Sequence, residues 1–256
     1  MIDYEVSGNV ALITLNRPEA RNAVNNQFAT EMESAIDQME ADSNVRVGVV
    51  RAVTVGDRPV FSSGADLKAI NAGGQSLGTE RGGFGGIVYR QREKPLIMAV
   101  DGLATAGGCE MVLSGDLVVA TTRSSFGLAE VKRNLIAGAG GLFRLPHAIG
   151  KAAAMEVILT GEPLSAQRAY ELGLVTRLAE PGKAEEVALE IAARICAAAP
   201  MAVQASRKIV LASQYASEAE LVTMTNSAMG TIMRSEDLKE GLTAFIEKRA
   251  PQWKGR

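Results

Sequence analysis

Two carboxylates between Ala99 and Gly141, Glu110 and Glu130, each stand next to an apolar run and near glycine. Gly107-Gly108 leads into Cys109-Glu110-Met111-Val112-Leu113, so a backbone that can approach a ligand closely opens the helix expected to carry Glu110. Glu130 follows Phe126-Gly127-Leu128-Ala129, and after Lys132, Arg133 and Asn134 the chain reaches a second glycine cluster, Gly138 to Gly141. Two acids framed by exposed N–H groups suit proton exchange beside a pocket that stabilises negative charge. Each acid also has a plainer reading. Glu110 could simply complement its own helix dipole, and Glu130 could form a surface ion pair with Lys132 or Arg133.

Other chemistries find less support. The single histidine, His147, excludes His-rich metal sites, and any Ser–His–Asp triad would have to use it. Cys109 and Cys196 form no metal spacing, and nothing in sequence near Cys109 would activate its thiol, so both are expected as free, packed thiols. The 256 residues are 47% apolar and 22% charged with a net charge of −2, which is ordinary for a soluble globular protein, and the absence of a long basic run argues against nucleic acid as the main partner. No apolar run is long enough to span a membrane, and the start lacks a signal-peptide pattern; a cytoplasmic location is the expectation.

Elements that would position the acids follow from periodicity. Ser7-Gly8-Asn9 between Val6 and Val10–Leu15 predicts a hairpin. Phe28, Met32, Ala35, Ile36 and Met39 predict a helix capped by Asn25 or Asn26. Strands are expected at 47–53, 96–100, 117–120 and 175–178, and Phe61–Leu67 as a small-residue turn into a short helix through Ile70. The helix at Gly107 lies between two of those strands, a β–α–β arrangement. Residues 71–86 hold seven glycines and read as a mobile surface loop, with closure over a ligand as the sharper possibility. Further helices are expected at 87–92, 142–149, 152–159, 166–172 (capped by Ser165), 183–198, two between 201 and 233, and 236–249. The outcome is a β–α part, residues 1–180, followed by a helical part, 181–256.

In order along the chain, LNRPEARNAV, FSSGADL, DGLATAGGCEMVLSGDLVVA, SSFGLAEVKRNLIAGAGGLFRLP, LTGEPLSA with AYELGLV, and SEDLKEGLTAFIEKRAPQWKGR resemble the crotonase (enoyl-CoA hydratase/isomerase) superfamily over nearly the whole length. The resemblance implies an α/β fold built as a spiral of β–β–α units, with a C-terminal helical region that mediates trimerisation, often as a dimer of trimers. It implies an acyl-CoA thioester as ligand, with coenzyme A entering as part of the substrate, no separate cofactor and no metal.

By resemblance, the backbone N–H groups of Ser63 and Gly107 form an oxyanion hole, Glu130 exchanges a proton at the α-carbon, Glu110 activates water, and the Gly138 N–H contacts that water. Substrate binding falls by resemblance on Arg21, on the backbone of Ser63, Gly64, Ala65 and Asp66, and on Phe245 and Lys248 reaching from a neighbouring subunit. Retention of both acids implies a 2-enoyl-CoA hydratase. Gly82-Gly83-Phe84-Gly85-Gly86 and EKRAPQWKGR also look similar to carnitinyl-CoA dehydratase. An isomerase, or outside the enzymes a silent acyl-CoA-binding protein, would share the same fold. Glu19, Ala106 and Ala137 depart from a lysine found in some of the family's hydratases and from a glycine and a proline common there.

Overall fold

A computed structural model describes residues 1–68 and 76–256. The chain starts with the expected hairpin, β1 (Ile2–Ser7) antiparallel to β2 (Val10–Leu15), with Gly8 at a positive φ of 58° in the turn. Helix α1 (Asn26–Ala41) begins where the Asn25 side chain accepts from the Phe28 N–H, and its apolar stripe is buried from Phe28 through Met39.

Thereafter the chain repeats one unit. β3 (Val47–Ala52), β7 (Leu96–Val100) and β9 (Leu117–Thr121) run parallel and, with β12 (Arg177–Ala179), complete a six-stranded sheet ordered β1-β2-β3-β7-β9-β12. Each of the three is followed by a three-residue strand, β4 (Val60–Ser62), β8 (Leu103–Thr105) or β10 (Ser125–Gly127). With β11 (Leu164–Ser165) these form a second sheet ordered β11-β10-β8-β4. Helix α2 (Gly107–Val112) follows β8, and a 3-10 turn (Glu130–Arg133) with α3 (Gly141–Ile149) follows β10. This is the spiral of β–β–α units.

Period-two alternation assigns the two faces of the large sheet. Val50, Met98, Val118 and Ala120 face α1 and α2 in the main core, whereas Val49, Ile97 and Val119 pack against Ala184, Ala188 and Ala192 of α6 (Ala184–Ala197). Both faces are covered, which explains why these strands read as unbroken apolar runs. The helical stretch expected after residue 180 therefore begins on the sheet itself. Beyond α4 (Lys151–Thr160) and α5 (Ala166–Glu171), the chain ends in α7 (Pro200–Ala212), α8 (Glu218–Ile232) and α9 (Glu236–Glu247). No residue of α8 is buried.

Two expectations are corrected. The helix expected at 87–92 is a set of turns. Positive φ at Gly83, Gly85 and Gly86 bends the chain back, the Tyr89 N–H donates to the Gly82 carbonyl, and Ile87 and Val88 are buried by tertiary packing rather than by helical periodicity. Residues 71–75 lie outside the described residues, but 76–86 are not a loose loop. They form a small hairpin, β5 (Gly78–Thr79) with β6 (Gly83–Phe84), fastened to α1 by Thr79 and Arg81 on Glu33 and by Arg81 on Asp37. Among the described residues no helix is long and apolar enough to cross a membrane.

Candidate active site

Glu110 sits in the first turn of α2 and is 3% exposed. Burial this complete rules out a surface acid that merely complements the dipole. Its Oε1 accepts from the Ala139 N–H at 2.7 Å and the Gly141 N–H at 2.9 Å, so the second glycine cluster serves as a cradle for the carboxylate of the first. Burial pushes the Glu110 carboxyl above the usual carboxylate range, against the opposing pull of the Gly141 and Ala139 bonds and of the Arg144 charge.

Glu130 opens the 3-10 turn, and its Oε2 is buried without a hydrogen-bond partner among the described residues. Lys132 pairs with Glu162 at 2.6 Å instead of with Glu130, and no ion pair joins Arg133 to Glu130 among the described residues. Its carboxyl is also pushed up, chiefly by burial and further by the charge on Glu110, while its own backbone N–H and Arg133 pull it down. Burial therefore favours the protonated form of both carboxyls, and the charge on Glu110 adds to it at Glu130.

The start of α2 supplies donors. Gly107 and Gly108 are buried, and neither N–H donates to another described residue. Gly108 must lack a side chain because a Cβ would collide with the Ser62 carbonyl. The Phe84 ring packs directly over the Cα of Gly107, so the hairpin reaches the site even though no acid lies on it. Ala106, just before the helix, is held at φ 50°, ψ −130°, a conformation strained for a residue with a Cβ.

The other half of the expected oxyanion hole shifts. The Ser63 N–H donates to the Arg21 carbonyl at 3.0 Å and is not available to a ligand. Gly64 N–H donates to Ser62 Oγ at 3.2 Å, and Asp66 N–H to the Val24 carbonyl at 2.9 Å. Ala65 is the residue of this turn whose N–H has no partner among the described residues, and Gly64, at φ 82°, brings the turn against the Gly107 nitrogen. The FSSGADL spacing shows small residues but not which amide a neighbouring carbonyl has taken. Asp66 itself pairs with Arg17 at 2.8 Å, and the Arg21 side chain is exposed.

Gly138 is exposed, and its carbonyl accepts from the Tyr89 hydroxyl at 3.1 Å; the N–H bonds to Glu110 come from its neighbours Ala139 and Gly141. Phe245, 84% exposed near the end of α9, and Lys248, its left-handed C-cap, take no part in the hydrogen bonds around the acids. Cys109 is 1% exposed and its thiol is raised by burial and by both acids, so it is packing and not a nucleophile. Ala139, Gly141 and Arg144 are the residues that sequence reasoning missed, and Ala65 is expected from sequence on the substrate-binding backbone beside Ser63 and not as the open amide itself. Ala139 and Gly141 act through backbone, and Arg144 lies inside an ordinary helical pattern.

Comparison with known proteins bears on the fold and the family. The enoyl-CoA hydratase of Mycobacterium marinum superposes with a TM-score of 0.94 at 42% identity, covering 100% of this chain and 99% of that one. The short-chain-enoyl-CoA hydratase of Clostridium acetobutylicum is 35% identical over 96% of this chain and 94% of its own. The carnitinyl-CoA dehydratase of Salmonella typhi is 35% identical over 98% and 97%. The family model described as enoyl-CoA hydratase/isomerase matches residues 5–256, and the chain belongs to that family.

Proposed function

We propose that this protein catalyses reversible addition of water to a 2-enoyl-CoA, giving a 3-hydroxyacyl-CoA. The observation that carries the reading is the pair of acids, Glu110 buried and cradled by two N–H groups and Glu130 half-buried with a buried oxygen left open. The hydratase names of the relatives support it.

In this reading the thioester carbonyl accepts from the N–H groups of Ala65 and Gly107. Glu110, as the carboxylate, takes a proton from water as the water oxygen bonds to the β-carbon. The electron pair of the double bond moves toward the thioester oxygen as an enolate, and protonated Glu130 then delivers its proton to the α-carbon. Each preorganised donor to that oxygen is worth about 10²- to 10³-fold in rate. The acids end with their protonation states exchanged, and a proton returned through water resets them.

The exposed apolar residues of the last helices, including Met229, Met233, Leu242, Phe245 and Ile246, support assembly into a trimer or a dimer of trimers. In such an assembly Phe245 and Lys248 would reach the coenzyme A portion bound to a neighbour.

A panel of 2-enoyl-CoA esters, varied in chain length, branching and terminal charge and including the dehydrated carnitinyl ester, tests the activity by loss of the conjugated thioester absorbance. Turnover of at least one member is expected. Tight binding of the panel without turnover would favour a silent acyl-CoA-binding protein.

A further inference from the structure

Arg144, on α3, carries a guanidinium that the proposed reaction does not use. Its Nη2 donates to the Val88 carbonyl at 2.5 Å, and its Nη1 is buried with no hydrogen-bond partner among the described residues. The cation lies 5.6 Å from the ring centroids of both Tyr89 and Phe143. No carboxylate forms an ion pair with it among the described residues, although burying an arginine without one is unfavourable. Gly140 makes the placement possible, since a Cβ there would lie 2.7 Å from Nη1.

Arg144 Nη1 lies against Gly140, between Ala139 and Gly141, whose N–H groups hold the Glu110 carboxylate. Arg144 and Glu110 each pull the other toward its charged form, without direct contact. The charged and titratable groups around Glu110 are Glu130 from the 3-10 turn, Arg144 from α3 and Cys109 from α2. Arg144 is the cation among them. The same side chain braces the backbone on which the carboxylate rests. It begins one turn after Gly141, lies against Gly140 and anchors to Val88, while Tyr89 next to Val88 holds the Gly138 carbonyl.

We propose that Arg144 is a positioning residue: it sets a permanent positive charge behind the 138–141 turn whose amides hold the Glu110 carboxylate, and it braces that turn. The proposal rests on the hydratase reading for its kinetic consequence, but not for its electrostatic one. Arginine stays protonated throughout the accessible pH range, so the counter-charge is permanent.

Arg144→Gln keeps a donor for Val88 and removes the charge; Arg144→Lys keeps the charge and removes the planar fork. Glu110 ionisation is followed by isotope-edited infrared titration, with Glu110→Gln assigning the band. Arg144→Gln is expected to raise the Glu110 midpoint by about one pH unit, and Arg144→Lys to hold it within about half a unit. The acid limb of kcat for 2-butenoyl-CoA should move to higher pH with the same variant. An unmoved midpoint in folded Arg144→Gln would overturn the proposal, as would a rise in KM alone with the midpoint unchanged, the sign of direct substrate contact. If Arg144→Gln does not fold, Arg144→Lys decides: a midpoint raised by a unit with the charge kept would overturn it, and a preserved one supports it. Absence of turnover in the wild type would defeat the hydratase reading while leaving the titration to judge Arg144.

Discussion

Replacing Glu110 separates its two jobs, accepting N–H bonds and accepting a proton. Glutamine keeps an oxygen where Oε1 receives the Ala139 and Gly141 N–H groups at 2.7 and 2.9 Å, while alanine leaves both donors buried and unpartnered. A buried unsatisfied donor costs about 1–3 kcal/mol, so two of them set a ceiling of roughly 2–6 kcal/mol for Glu110→Ala. Relief from burying a carboxylate offsets part of that, because burial pushes the carboxyl up. A net loss of about 2–4 kcal/mol is expected for alanine and less than about 1 kcal/mol for glutamine. Catalysis should divide differently. Both variants lose the proton acceptor, worth about 10²- to 10⁴-fold, or roughly 3–5 kcal/mol of barrier. Urea denaturation gives the stability difference, and the decay of 2-butenoyl-CoA absorbance gives the rate. Exchange of α-protons in D2O, which needs Glu130 and the oxyanion donors alone, should survive in Glu110→Gln. Hydration by Glu110→Gln within threefold of wild type would refute the reasoning, as would an alanine variant as stable as the glutamine one.

Glu130→Gln should abolish turnover while acyl-CoA binding, read by calorimetry, stays near the wild-type value. Its stability should also depend on pH. A carboxyl raised on folding binds its proton more tightly in the native state, so native Glu130 loses stability as pH climbs from the unfolded value through the folded one. The glutamine variant should therefore gain on wild type between acid and neutral pH in denaturant titrations, and a gain that shrinks with rising pH would contradict the assignment. Ala106→Gly should stabilise the fold by up to about 2.5 kcal/mol, since relief of roughly 1–3 kcal/mol of backbone strain matches or outweighs the roughly 0.5–1 kcal/mol entropy of glycine; a lower denaturation midpoint would count against the strained geometry. Ser63→Ala should leave kcat within twofold, because the substitution keeps the Ser63 amide and the hydroxyl it removes donates to no described residue; a tenfold loss would give the Ser63 hydroxyl a part in the site.

Helix α1 and the large-sheet strands follow from local pattern because burial there has a regular period, as with Asn25 capping and the stripe from Phe28 to Met39. The strands β4, β8 and β10 hold three residues each, too few for period two to register, yet they carry the turns that deliver Ser62, Ala106 and Glu130. The segment after Gly86 looks helical in composition but is bent by positive-φ glycines and secured when Arg90 meets Asp37. Both acids are identifiable from residue type and spacing. Which amides remain open is not, since that depends on a carbonyl such as Arg21's, contributed from far upstream. The apolar residues on α8 look like ordinary core in sequence, and only packing reveals that this chain alone buries none of them.

Hydration of 2-butenoyl-CoA in D2O by the wild-type protein tests the two-acid account most directly, with absorbance and α-carbon deuterium followed together. The account predicts loss of the conjugated absorbance with one deuterium delivered to the α-carbon of the 3-hydroxy product, and loss of both signals in Glu130→Gln. Product formation undiminished in Glu130→Gln would contradict it.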